Sequence, residues 1–408
     1  MKILHLADIH CNDRDIDEVS RCMTKVISTA REEAVDLVVI AGDIFDSRDI
    51  KLDSESALFI IGAISILANI APVAIVTGTN SHDGKAPAVL EHVRGDYPVI
   101  VASKPTQVFL FAETVSNEKW FADIDDATVT QDKVKAVLTL IPTPTKQFFQ
   151  GSQGADIKTG DMEIAQAMNA LFAGFGATAS QFECPHILVG HWQVSGSLKS
   201  ETQVLTGTDI ELSPDCMALS EADLICLGHI HYPQQIGDRT FYSGSLFPKD
   251  WGENHKHGFW IHDQRADFVE SRFIETPCKK MVRTQADCTG EDSLDDFLNA
   301  LSCDVHDAFV RCDFTVWQDE AASIDKEKIK RFFISGGALD VDIRINRIPR
   351  VTVRSEAVLK AETLRDKLVA MAALRDEQVP ESVLEKADRL EDMEAEKIIG
   401  MVGTGGTA

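Results

Sequence analysis

The sequence predicts a layered α/β domain followed by two smaller units. Three observations carry that prediction: short β-rich runs alternate with helical patterns over the first two-thirds of the chain, several of those runs end in Asp, Asn or His, and the pattern changes after about residue 276. At 408 residues the chain has length for two or three domains with real cores, and 44% hydrophobic against 26% charged residues is an ordinary globular balance.

Strands are expected at Ile3–Ala7, Leu37–Ala41, Val73–Thr77, Val134–Ile141, His186–Val189 and Leu224–Leu227, each an apolar run of strand length. Strand ends and the loops after them are where α/β folds build sites, because the sheet fixes positions while loops vary. Leu58 to Val76 is 19 uncharged residues, long enough in principle to cross a bilayer. Pro72 divides it into a helix near Glu55–Ile70 and a strand, and Gly62, Ser65, Asn69 and the lack of basic flanks argue against a membrane. A helix this apolar on every side needs cover beyond one sheet, so Leu58–Ile70 is expected to pair with its copy across a two-fold axis as a homodimer contact, with Ile64 as the mid-helix position to probe.

Residues 1–275 therefore form the first domain, and 276–350 a small α+β cap with strands Lys279–Gln285, Phe309–Trp317 and Leu339–Arg347 and helices near Glu291–Leu301 and Asp325–Phe333. The cap carries two basic clusters, Lys279, Lys280 and Arg283, then Arg344, Arg347 and Arg350, which are candidate DNA phosphate contacts. From 355 to 400 two amphipathic segments follow, with apolar residues at Leu364, Leu368 and Met371 and, after Pro380, at Val383, Ala387 and Leu390. Two such helices cannot make a core alone, so they are expected to dock on another helical surface. Residues 401–408 read as a disordered tail.

A net charge of −25 argues against wrapping nucleic acid over the whole surface, though not against a local basic groove. Nine cysteines without a C-x-x-C pair read as free thiols of a reducing compartment, hence the cytoplasm. His5, Asp8 and His10 interrupt the first apolar run before it reaches signal-peptide length.

The chemistry is concentrated in five elements: D-I-H at Asp8 and His10, G-D-I-F-D from Gly42 to Asp46, G-T-N-S-H-D from Gly78 to Asp83, G-H at Gly190 and His191, and G-H-I-H from Gly228 to His231. Composition alone produces G-H-x-H only about 0.02 times in such a chain, so chance is a poor account of five together. Mixed carboxylate, imidazole and amide donors suit Mn²⁺, Fe²⁺ or Zn²⁺ better than Ca²⁺ or Mg²⁺. Two such cations about 3.5–4 Å apart acidify a water and stabilise both oxygens of an in-line displacement at phosphorus, which makes phosphoester hydrolysis the natural reaction class.

The five motifs resemble the calcineurin-like metallophosphoesterase superfamily. Within it, GDIFDS, ILVGHWQVSG, ADLICLGHIHYPQQIGDRTFYSGSLFPKDWGE and the cap with paired helices resemble the SbcD-type nuclease subunits of double-strand-break repair. The resemblance implies a two-sheet α/β/β/α sandwich, two divalent ions, most often Mn²⁺, and a DNA-end exo/endonuclease partnered by an SbcC-type coiled-coil ATPase. It implies Asp8, His10, Asp43 and His231 on one ion, Asp43, Asn80, His191 and His229 on the other, and His82 as the non-ligand catalytic histidine. The family pattern G-N-H-D is interrupted here. Either Asn80 ligates across a one-residue bulge or Ser81 takes its place, and an amide oxygen, the better neutral ligand, favours Asn80. A metallophosphatase or small-molecule phosphodiesterase of the same fold, or a non-catalytic scaffold for the ATPase, are the alternatives. Cys11 reads as packing, and His255 and His257 in NHKHG as a solvated hairpin loop.

Overall fold

The computed structural model describes residues 1–115, 119–123, 130–144, 161–200, 203, 210–253, 255–265, 268–290, 297–298, 304–349 and 356–391. Arg350, most of the helix expected near 291–301 and the 401–408 tail lie outside the described residues.

Two sheets form the centre of the first domain. One contains the parallel strands β1 (Lys2–Leu6), β2 (Leu37–Ala41), β3 (Val73–Val76) and β4 (Val99–Ala102). The other contains β5 (Thr106–Val115), β6 (Lys119–Asp123), β7 (Val134–Ile141) and β8 (His186–His191). After a short pair, β9 (Gln193–Val194) and β10 (Glu211–Leu212), β11 (Leu224–Gly228), β12 (Gln234–Ile236) and β13 (Thr240–Tyr242) complete the second sheet in the order β12-β13-β11-β8-β7-β5-β6. The antiparallel hairpin β14 (Gly258–Gln264) and β15 (Val269–Glu275) returns to the first, giving β15-β14-β1-β2-β3-β4.

The period of two along each strand explains how one run serves two cores. Leu37, Val39 and Ala41 of β2 face the second sheet, where Val189 and Cys226 belong to the same cluster. Val38 and Ile40 face outward, under Val26 of α1 (Ile16–Glu32) and Ile60 and Ile64 of α2 (Glu55–Leu67). On the far side Leu188, Ile225 and Leu227 pack under Met168 and Phe172 of α3 (Asp161–Ala179). The resulting helix–sheet–sheet–helix layering is the α/β/β/α sandwich that the resemblance implied.

The long uncharged stretch is α2 plus β3. Ser54 starts the helix by accepting a hydrogen bond from the Ala57 amide at 3.2 Å. Ile60, Ile64 and Leu67 are buried on the sheet, whereas Leu58 and Ile66 are 57% and 43% exposed. Ile64 is therefore core, a correction to its expected use as a probe of the outer face. Among the described residues no helix is long and apolar enough to cross a membrane.

The short helix α4 (Pro214–Ala218) precedes β11, and beyond β15 comes the three-stranded sheet β16 (Lys280–Asp287), β17 (Ala308–Trp317) and β18 (Asp340–Ile348), with α5 (Lys326–Ser335) between the last two. β17 alternates buried Ala308, Val310, Cys312, Phe314 and Val316 with half-exposed neighbours, as expected of a sheet with one covered face. Compactness groups Met1–Ala286, Asp295–Asp313 and Lys326–Arg344 into one unit, and Asp287–Leu294, Phe314–Asp325 and Ile345–Ala408 into another. The second unit includes α6 (Glu356–Lys360), α7 (Leu364–Ala373) and α8 (Glu381–Glu391). There Arg365 ties α7 to α8, bridging to Glu381 and Asp388 at 2.7 Å each.

Candidate metal centre

Parallel register brings the carboxyl ends of β1, β2, β3, β8 and β11 to one edge, and the loops that follow are laced together there. The Asp8 amide donates to the Gly42 carbonyl at 3.0 Å and the His10 amide to the Asp43 carbonyl at 3.0 Å. The His229 amide donates to Asp8 Oδ2 at 3.0 Å, which joins the end of the second sheet to the first. Asp8, His10, Asp43 and His229 all hold left-handed backbone, with φ of 49°, 46°, 49° and 89°. Non-glycine residues adopt that region at a cost of about 1–3 kcal/mol each, so the surrounding structure imposes the arrangement. Gly78 is fixed by contact instead: a Cβ there would collide with the Asp43 carboxylate.

Two ligand groups result, Asp8, His10 and half-buried His231, and the buried Asp43, His191 and His229, each with donor atoms within 4.8 Å of one another. Asp43 Oδ2 lies 3.2 Å from His191 Nε2 and 4.0 Å from His10 Nε2, so this carboxylate reaches both groups. His191 Nδ1 faces the Ala41 carbonyl at 2.7 Å and must donate to it, which leaves Nε2 as a lone pair opposite the Asp43 oxygen. His231 Nδ1 donates to Glu253 Oε1 at 2.6 Å, leaving its Nε2 as a lone pair 3.1 Å from His10 Nε2. Lone pairs facing acceptors across a dry gap need a proton or a cation between them. That donor chemistry fits a divalent metal, and Glu253–His231 is the carboxylate–histidine pairing by which proteins orient a metal ligand.

Charge follows the same logic. Burial pushes His10 well below its ordinary value and His229 down to about 3, keeping both neutral and able to ligate. Burial raises Asp8 to about 6, against the pull of His191 and His231. Burial also opposes charge on Asp43, but His191 and His10 overcome it and hold that carboxyl well below the carboxylate range.

Three residues that the motifs contained without a role support this frame. Asp83 accepts from the amides of Ile44 and Phe45 at 2.8 and 3.0 Å and from Gly78 at 2.8 Å, clamping the loops after β2 and β3 together. Asp46 Oδ1 lies 3.5 Å from His10 Nδ1 and pairs with Lys249 Nζ at 2.9 Å. Glu253 had only its place after the G-H-I-H stretch to mark it, and no spacing rule singles it out. His82 is half-buried, with Nδ1 on the Asp46 carbonyl at 3.2 Å and its ring edge-on to His10 at 4.6 Å.

The interrupted G-T-N-S-H-D loop differs from both alternatives drawn from sequence. Asn80 and Ser81 are exposed, and Thr79 turns inward, its amide 2.6 Å and its hydroxyl 3.0 Å from Asp43 Oδ1. The extra residue is taken up as a turn that swings Asn80 outward, where it lines an open cavity of about 140 Å³ with Thr77, Ser103, Thr143 and Met168. Cys11 is buried and packed, as expected, and burial pushes its thiol up to about 12. The solvated-loop expectation for His255 and His257 is corrected: His257 is 4% exposed and His255 half-buried, because the segment folds back under His231.

The basic candidates of the cap are largely committed to acids. Lys279 lies 3.6 Å from Asp15, Lys280 2.6 Å from Asp304, Arg283 2.6 Å from Asp313 and Arg344 3.4 Å from Asp342. Arg347 is exposed, and strand periodicity puts it on the face of β18 opposite Arg344. In the helix pair Leu364, Met371, Val383 and Leu390 are exposed and Leu368 half-buried, whereas Ala387 is 2% exposed. Ala387 is thus covered within the chain, a correction to its expected place on a partner surface.

A layered sandwich with carboxylate and imidazole ligands at its strand ends defines a class of metal-dependent phosphoesterases, and this chain belongs to the calcineurin-like phosphoesterase family, whose model matches residues 1–233. The family implies divalent metal ions at this centre. Among curated proteins the chain is similar to the SbcD component of the SbcCD nuclease of Rhodobacter capsulatus, with 26% identity over 281 residues, covering 64% of this chain and 66% of that protein. The chain thus spans just under two-thirds of that relative's length. Among solved structures it matches one titled "GAP50 the anchor in the inner membrane complex of Plasmodium", with a TM-score of 0.41 and 15% identity over 68% of this chain and 85% of that one.

Proposed function

We propose that this chain is a nuclease holding two divalent ions, most often Mn²⁺, that cleaves DNA phosphodiesters at ends and works with an SbcC-type coiled-coil ATPase. The observation that carries it is Asp43, one carboxylate within reach of both His191 and His10 and therefore of both ligand groups. Similarity to a nuclease subunit supports a nucleic acid among phosphoesters, and the motif resemblance to SbcD-type nucleases favours DNA. When bound, the ions supply Lewis acidity at the phosphate and the attacking water. The chain supplies the rest. Asp8, His10, Asp43, His191, His229 and His231 would hold the ions, with Thr79 steadying Asp43 in the second group. Glu253 and the Ala41 carbonyl set the ring tautomers of His231 and His191. With both ring nitrogens protonated, His82 would donate Nδ1–H to the Asp46 carbonyl and turn its Nε2–H to the scissile phosphate, passing that second proton to the departing oxygen.

The domain plan proposed with this activity is residues 1–275 for catalysis, 276–350 for DNA and 355–400 for the ATPase. The stripe of exposed Leu364, Met371, Val383 and Leu390 with half-buried Leu368 is the surface offered to the coiled coil. The outer face of α2, with Leu58 and Ile66, is offered to a second copy of the chain. Phosphate contact by Lys279, Lys280, Arg283 and Arg344 would exchange one acidic partner for another, which makes Arg347 the readier contact among the described residues. The experiment is to compare turnover of linear duplex DNA with that of phosphate monoesters and cyclic nucleotides. Preference for DNA supports the proposal, and activity on small esters alone moves it to the phosphatase alternative. Truncation after Arg354 should leave metal content and basal cleavage within about twofold and abolish stimulation by the ATPase with ATP. Retained stimulation would remove the helix pair from the interface.

A further inference from the structure

The segment leading into β14 carries a second group of ligand-type side chains. Glu253, His255 and His257 each place a donor atom within 4.8 Å of the other two. Glu253 and His257 are buried, His255 is half-buried, and the two imidazole rings lie 4.5 Å apart. His255 Nε2 faces the His231 carbonyl at 2.9 Å. A carbonyl only accepts, so that nitrogen carries the proton and Nδ1 keeps its lone pair. His257 Nδ1 lies 3.0 Å from Ser245 Oγ, which can accept its proton, and His257 Nε2 stands 3.4 Å from the Glu253 carbonyl, beyond a good N–H···O length. Glu253 Oε1 takes the His231 proton at 2.6 Å and Oε2 the Lys249 amide at 2.8 Å, and each oxygen retains a second lone pair.

A comparison within the molecule shows what is unusual here. His5, Cys226 and His262 also cluster. There Ser271 Oγ meets His262 Nδ1 at 2.7 Å, His262 Nε2 meets His5 Nδ1 at 3.3 Å and His5 Nε2 meets the Leu227 carbonyl at 3.1 Å, so every ring nitrogen is taken. That cluster is a closed hydrogen-bond chain. At 253–257 the remote nitrogen of each ring is braced on an oxygen, the near nitrogen of His255 keeps its lone pair, and that of His257 has only the long 3.4 Å contact to the Glu253 carbonyl, which together resemble the outer-shell pattern of metal-ligating histidines.

We propose that Glu253, His255 and His257 form a further cation site, separate from the phosphoesterase centre, with the two-imidazole, one-carboxylate donor set that suits Zn²⁺ and leaves a fourth position open to water. Glu253 is shared between His231 and this cation, so filling the site ties the 253–257 segment to the ligand loop after β11. The proposal is independent of which phosphoester the main centre cleaves.

Equilibrium dialysis of the full-length protein against Zn²⁺, with bound metal counted by mass spectrometry, tests it. His255→Ala, at a half-buried position, should bind one equivalent fewer than wild type at the same free Zn²⁺ while keeping the ions held around Asp43. Asp43→Asn should show the reverse, losing ions at the main centre and keeping this one. Equal stoichiometry in wild type and His255→Ala overturns the proposal. So does loss of every ion in His255→Ala, because His255 would then only steady His231 through its carbonyl. Anomalous scattering at the zinc edge gives a second readout that needs no variant: a peak among the three side chains is expected, and its absence at saturating Zn²⁺ overturns the site.

Discussion

At the scale of single residues, the candidate metal cluster was legible because polar residues stood just after or at the ends of apolar runs of strand length, at Asp8, Asp43, His191 and His229. What could not be read was how an inserted residue is accommodated. The loop from Gly78 to Asp83 keeps Asp83 in its clamp and spends the extra length by turning Asn80 outward and Thr79 inward. Thr79→Val, which keeps shape and removes the hydroxyl, should therefore weaken metal binding about tenfold, whereas Asn80→Ala should leave it unchanged. Metal titrations followed by calorimetry decide this, and the opposite pattern would return the ligand role to Asn80. The same instrument reads a proton. Burial lowers His191, but Asp43 and Asp8 outweigh it and hold the imidazole up at about 9, so at neutral pH the metal-free chain carries a proton where a cation belongs. Metal uptake should expel close to one proton from this residue and tighten as pH rises toward 9. Heats that do not vary with buffer ionisation enthalpy at pH 7 would contradict that.

Elements were legible where their residues had one clear period and obscure where they did not. β2 reads as an unbroken apolar run because both of its faces are buried, each in a different core. α2 is apolar all round, so its residues carry no phase, and only the packing shows that Ile64 lies beneath the helix and Ile66 on its outer side. Ile64→Glu should then put an unpaired charge in the core at a cost of roughly 3–5 kcal/mol and give insoluble protein. Ile66→Glu should fold normally and convert a dimer to a monomer, as read by light scattering with chromatography. A wild type that is already monomeric, or an Ile66→Glu protein that stays dimeric, would remove α2 from the self-association surface. The short strands β12 and β13 and the buried side chains Glu253 and His257 were missed for a simpler reason. Each strand is three residues long, too short to show a period, and β13 and Glu253 owe their burial to β11 and His231 rather than to their own run.

On the scale of the whole molecule, the net charge of −25 is compatible with a DNA-directed enzyme because catalysis is local. The acidic groups of the centre, Asp8 and Asp43, are candidate cation ligands, and many cap bases are already balanced by Asp15, Asp304, Asp313 and Asp342. The two-sheet sandwich fixes five strand ends at one edge, which lets loops 221 residues apart in sequence meet within hydrogen-bonding distance, as His10 and His231 do at 3.1 Å. The central claim is that this convergence, with Asp43 shared between its halves, hydrolyses DNA phosphodiesters. The most direct measurement is cleavage of end-labelled linear duplex DNA by Mn²⁺-loaded protein, with wild type, Asp43→Asn and His82→Ala run side by side and their bound metal counted. The account predicts cleavage by wild type that chelation abolishes, loss of both metal and activity in Asp43→Asn, and loss of turnover with metal retained in His82→Ala. DNA left intact by fully loaded wild type, or cleaved as well by Asp43→Asn, would contradict it.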